Sequence, residues 1–151
     1  MGDITLQTDF FDIGRGQDKD SELRRTATKY FEEFRRWAGI QNTLIVYTDT
    51  KSAETIKAIR AEYGLEEKTI IVETNHLFEL EPELFKKMEK ASQNKDFINF
   101  RYLQQASSNN PKYDYLWMMK YYFMNDAYEK GLLTEDVVWI DFGFDHGGIT
   151  Y

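Results

Sequence analysis

Asp141 directly follows an unbroken apolar run, Val137-Val138-Trp139-Ile140, and leads into Phe142-Gly143 and a glycine-rich tail. Such a run reads as a strand buried on both faces. A carboxylate at its carboxyl end stands where open α/β sheets bind ligands, because loops and helix N-termini converge there over a rigid support. A turn-forming aspartate that bonds the following backbone would fill the same position. Asp12 and Asp49 stand in the same relation to two earlier strands. Arg15 lies between Gly14 and Gly16 just after the first strand. A loop of this kind can bring its backbone close to a ligand, or it is an ordinary turn with a solvated arginine. Lys120 sits within a nearly all-apolar segment, so its ammonium must reach water or meet an anion.

The elements that would hold these residues alternate along the chain. Ile4, Leu6, Thr8 and Phe10 alternate with polar residues, which predicts a strand with one better-buried face. From Leu23 to Ala38 apolar residues recur at threes and fours, predicting an amphipathic helix closed by a left-handed Gly39. Thr43 to Tyr47 is a buried strand. A helix bearing Ile56, Ile59 and Tyr63 follows, closed by Gly64, and Thr69 to Glu73 is a third strand. Pro82 opens a short helix, a further helix falls between Ser92 and the loop at 107–111, and Leu116 to Tyr128 predicts a helix covered on most sides. Strand, helix and glycine in repeated succession predict a mostly parallel sheet with crossover helices on both faces.

Composition narrows the function. With 151 residues the chain suits a single domain, 1–151. Its 19 basic and 26 acidic residues give a net charge of −7 and leave no basic stripe, which argues against nucleic acid as the main partner. The absence of cysteine excludes disulfides and thiolate metal sites and suits a reducing, cytoplasmic compartment. The N-terminus has no signal-like pattern and no apolar run approaches the length of a membrane span, so any membrane contact is expected to be peripheral.

The segments Asn110-Pro111-Lys112-Tyr113, Met118-Met119-Lys120 and Trp139-Ile140-Asp141-Phe142-Gly143, with His146 three residues on, fall in a particular order. Together with Thr8 to Arg15 and the Asn42 to Tyr47 strand, they resemble the bacterial HtrL/YibB family, which includes the WlaTC-type proteins. The likeness covers essentially the whole chain. Members belong to surface-polysaccharide gene clusters and look like glycosyltransferases of the GT-A type.

The resemblance implies a Rossmann-like, three-layered half-fold that binds a nucleotide-sugar donor. It implies sugar transfer to a glycan or glycolipid acceptor in polysaccharide or lipooligosaccharide assembly, in the cytoplasm or at the inner membrane's surface. Asp141 would fall where GT-A enzymes carry the Asp-x-Asp motif, with His146 as a second candidate ligand for Mn²⁺ or Mg²⁺ and Gly143 in place of the second carboxylate. Arg15 and Lys120 would neutralise the pyrophosphate, Asp12 and Asp49 would contact hydroxyls or the base, and Phe11 would stack on the base. No catalytic base is assigned. The chain ends eight residues after Gly143, short of the acceptor half of a GT-A fold, so either a truncated domain or a naturally short relative is expected, and truncation would leave uncovered apolar surface through which the chain self-associates. The alternatives are a non-catalytic nucleotide-binding or scaffold module, and a flavodoxin-like domain that would lack the usual Gly-rich phosphate loop.

Overall fold

The computed structural model describes residues 3–14, 26–100 and 110–145. The chain gathers into two compact units, one formed by Met1–Asp12, Ala27–Asn75 and Tyr121–Tyr151, the other by Ile13–Thr26 and His76–Lys120.

The first unit holds a four-stranded sheet in which β1 (Ile4–Phe10), β2 (Leu44–Thr48), β3 (Thr69–Glu73) and β4 (Asp136–Trp139) run parallel in the order β3-β2-β1-β4. Helices α1 (Ala27–Trp37) and α2 (Thr50–Glu62) cover one face. There Leu6, Phe10, Leu44 and Val46 close a core with Phe34, Trp37, Ile56 and Ile59. On the opposite face Phe123, from the second half of α5 (Pro111–Glu129), stacks on Tyr47 at 4.7 Å and on Phe11 at 5.7 Å between ring centroids. Chain direction explains the two faces. The first two crossovers move outward from β1, whereas β4 returns to the other side of β1, and a right-handed connection then carries its helix across the opposite face. The result is the expected α/β fold with helices on both faces of a parallel sheet.

Three local expectations are corrected. β4 is not buried on both faces: among the described residues it pairs with β1 alone, and Val138 is 45% exposed. The central strands are β1 and β2, so both faces of β1 are closed, and Thr5, Gln7 and Thr8 are each fully buried. Helix α5 buries one stripe, Tyr115, Met119, Phe123 and Ala127, and leaves Trp117, Tyr121 and Tyr128 half exposed or more. Gly39 is not left-handed, unlike Gly64 at φ +69°. Its role is room, since a Cβ there would stand 3.0 Å from the Tyr63 ring.

The second face carries a small polar network. The Tyr47 hydroxyl donates to Asp126 Oδ2 at 2.6 Å, and Lys130 donates to the same oxygen. Burial, then the bond to Asp126, pushes the Tyr47 phenol well up. Burial by itself would raise Asp126, but the bonds from Lys130 and Tyr47 outweigh it and hold the carboxyl below its ordinary value. A carboxyl lowered in the folded state stabilises the fold above its unfolded pKa, and this contribution is lost as pH falls through the folded value. Urea unfolding of wild type between pH about 5 and 2 should therefore fall off more steeply than that of Asp126→Asn. Parallel curves for the two proteins would deny Asp126 this role.

In the second unit a 3₁₀ turn at Leu77–Glu79 leads into α3 (Pro82–Ser92) and α4 (Lys95–Phe100). Tyr115 organises it. Its hydroxyl donates to the Leu77 carbonyl at 2.6 Å and accepts from the Glu81 amide, and its ring packs with Phe78 and Phe85. Asn110 caps the first turn of α5 by accepting from the Lys112 and Tyr113 amides. Among the described residues no helix is long and apolar enough to cross a membrane.

Candidate functional site

Because all four strands are parallel, their carboxyl ends line one edge of the sheet. The loops leaving β1, β2 and β3 are tied together there. Asp49 caps α2 by accepting from the Ser52 amide at 2.7 Å through Oδ1, and its Oδ2 accepts from the Asp12 amide at 3.3 Å. Thr50 donates from its amide to Asn75 Oδ1 and from its hydroxyl to Glu73 Oε2, while Asn75 Nδ2 donates to the Thr50 hydroxyl. The Thr48 hydroxyl closes the set by donating to the Phe10 carbonyl at 2.7 Å. Both Asp49 oxygens are thus bound to backbone, which is the turn-forming role.

The strand order reverses between β1 and β4, so a crevice is expected at this pair. Asp141 is exposed there, held from both sides. Before it, the Ile140 amide donates to the Gln7 carbonyl at 2.9 Å. After it, Phe142 is buried, stacked on Phe34 at 4.5 Å and on Phe10 at 4.8 Å, and its carbonyl accepts from the Trp37 indole. Asp141 Oδ1 accepts from the Trp139 indole at 3.0 Å. The carboxylate is therefore a fixed acceptor at the switch point, one oxygen already bonded.

The remaining candidates fall apart in position. Phe11 is 6% exposed with its ring stacked on Phe123, a core role. The Lys120 ammonium lies 4.0 Å from the Trp117 ring centroid, where a cation gains from the ring's negative face. Lys120 belongs to the second unit. Arg15 and His146 lie outside the described residues. His76, after β3, is exposed and lies 3.8 Å from Glu79. Asp145, the next carboxylate after Asp141, is buried against Arg36 of α1 at 3.6 Å.

For a divalent cation the described residues are a poor fit. Among them no group of three or more His, Asp or Glu side chains is placed to hold a metal ion. Asp141 brings a single carboxylate with one oxygen occupied, whereas hard cations take several oxygens. Gly143 fits the same picture: a Cβ there would stand 2.5 Å from Glu33 Oε2, so the position is kept bare for close packing on α1.

Two residues of this edge were not singled out from the sequence. Gln7 and Asp9 share a face of β1 with Thr5, and Gln7 is the register partner of Trp139. The signal was present, three polar residues at alternate positions of the first strand. It carries weight only once β1 is known to be central.

Comparison with known proteins decides the family. The family described as "Bacterial protein of unknown function (HtrL_YibB)" matches residues 2–150. The chain belongs to the HtrL_YibB family. Protein HtrL of Escherichia coli (strain K12) is 30% identical over 148 residues, covering 94% of this chain and 51% of that protein. The chain thus spans about half the length of the curated HtrL_YibB relative it matches. No solved structure matches it.

Proposed function

We propose that this HtrL_YibB chain is the donor-binding part of a glycosyltransferase that takes a sugar from a nucleotide-sugar for bacterial surface polysaccharide assembly. The observation that carries the reading is the parallel sheet whose order reverses between β1 and β4, with Asp141 fixed at that reversal. The resemblance of the chain's motifs to the HtrL/YibB family, whose members look like glycosyltransferases of the GT-A type, suggests the chemistry. In this reading Asp141 accepts hydrogen bonds from ligand hydroxyls or from water around the diphosphate, and the tied loops after β1, β2 and β3 form a rigid rim. The same geometry serves a module that binds a nucleotide without transferring sugar.

Calorimetric titration with UDP-, GDP-, CMP- and dTDP-sugars, with and without Mn²⁺, tests the reading. One donor is expected to bind, and Asp141→Ala is expected to weaken it about tenfold, the equivalent of one charge-assisted hydrogen bond. The side chain is exposed, so this variant should keep wild-type stability to within about 0.5 kcal/mol. A folded wild type that binds none of the panel would overturn the reading. Binding without turnover in the presence of acceptor glycans would favour the non-catalytic module.

A further inference from the structure

Gln7 is fully buried in the middle of β1, and neither Oε1 nor Nε2 of its side chain has a hydrogen-bond partner among the described residues. A primary amide offers two donors and an acceptor, and sealing it without partners costs stability that an apolar side chain of the same length would not. The face it shares is not hostile to polar groups in general. Thr5, two residues earlier, makes a 2.6 Å bond to the Thr134 hydroxyl.

The position of Gln7 is the informative part. Pairing between β1 and β4 ends at Gln7 and Trp139, whereas pairing between β1 and β2 continues to Phe10 and Thr48. β1 therefore projects past its β4 neighbour, and Gln7 lies at the root of the notch so formed. Asp9 stands one pleat repeat, about 6.6 Å, further along on the same face. Trp139, across the ladder from Gln7, is the residue whose indole bonds Asp141.

We propose that Gln7 is a ligand-binding residue of the switch-point site. Its amide hydrogen-bonds a ligand edge that presents a donor and an acceptor side by side, as a nucleobase ring edge or two adjacent sugar hydroxyls do. The proposal rests on the nucleotide-sugar reading above. A ligand that engages Asp141 competes with the Trp139 indole, and displacement of that indole is the step that opens access to the amide. Stability given up at a polar residue inside a fold is a recurrent mark of a functional site.

The test compares wild type with Gln7→Met, which keeps the length and removes the amide. Thermal unfolding is followed without ligand, and affinity is measured for UDP, GDP, dTDP and CMP and for their sugar conjugates. The expected result is an unfolding temperature equal to or above wild type, together with about a tenfold or greater loss of affinity. Loss shared by the free nucleotides places the amide on the base, and loss confined to the conjugates places it on the sugar. Unchanged affinity in Gln7→Met, where wild type binds, overturns the Gln7 proposal and leaves the nucleotide reading standing. A lower unfolding temperature in Gln7→Met also overturns it, because the amide would then be serving the fold. Failure of wild type to bind any of the panel ends the nucleotide reading and this proposal with it.

Discussion

Arg60→Met is expected to lose roughly 3–5 kcal/mol of stability, a large share of what a domain of this size has. Arg60 is 1% exposed and lies near the end of α2. Its guanidinium binds five oxygens: Thr69 Oγ1 at 2.9 Å, the Ala38 and Ile40 carbonyls at 2.7 Å each, and the Asn42 and Lys68 carbonyls at 3.0 and 3.3 Å. These belong to the loops entering β2 and β3, so one side chain fastens the amino-terminal edge of the sheet, opposite the candidate site. Burial pushes its pKa down to about 10, still far above neutral pH, and the group stays charged in the fold. Buried ions can often be exchanged for apolar residues at no loss, but only when the partners go too. Here the partners are mainly backbone carbonyls, which no substitution at 60 removes. Arg60→Lys should fall between the two, since an ammonium has three donors and cannot reproduce the planar fork. Thermal and urea unfolding of both variants decide the matter. A Met variant within about 1 kcal/mol of wild type would mean that water or a shifted loop satisfies the carbonyls.

Arg60 also marks a limit of what the sequence discloses. Four residues after Ile56 and three before Tyr63, it falls on the apolar stripe of α2, where a lone arginine reads as a stem that snorkels to water, and only the carbonyls of the loop at 38–42 show why the whole side chain is buried. The alternation of strands and helices was legible, because apolar runs of five residues and stripes at threes and fours differ in period. Asp49 was legible as a turn residue, since an aspartate before a helix has a backbone amide to bond. Which strand is central was not legible. Val137 to Ile140 is as apolar as Leu44 to Tyr47, yet β4 lies at the edge among the described residues and β2 does not. That single uncertainty hid Gln7 and Asp9, which look like the solvated side of an alternating strand until a second face closes over them. The partner of Lys120 was hidden for a different reason. Trp117 lies one turn back on its own helix, and an all-apolar surround points the ammonium to water or an anion rather than to an aromatic ring.

Restoring the second carboxylate of an Asp-x-Asp motif by Gly143→Asp is expected to damage the fold rather than build a metal site. An ideal Cβ at Gly143 would lie 2.5 Å from Glu33 Oε2 and 2.8 and 2.9 Å from Cδ1 and Cε1 of Tyr30. Neither neighbour has much room to give. Glu33 is 3% exposed, and the Tyr30 ring packs against Phe10 at 5.4 Å. Gly143→Ala should therefore cost about 1–3 kcal/mol through overpacking alone. The aspartate adds a second carboxylate beside a buried one, so its total should exceed roughly 3 kcal/mol, a fall in melting temperature on the order of 10 °C. The steric and charge parts separate in a Glu33→Gln background, where the difference between Asp and Ala at 143 should shrink while the Ala cost persists. The same damage propagates to function, because Phe142, stacked between Phe10 and Phe34, is the anchor that holds Asp141 from its far side. Differential scanning calorimetry with and without Mn²⁺ reads both effects. A Gly143→Asp protein as stable as wild type and further stabilised by Mn²⁺ would show that the tail can leave α1, and that the missing carboxylate was the only obstacle to a metal site.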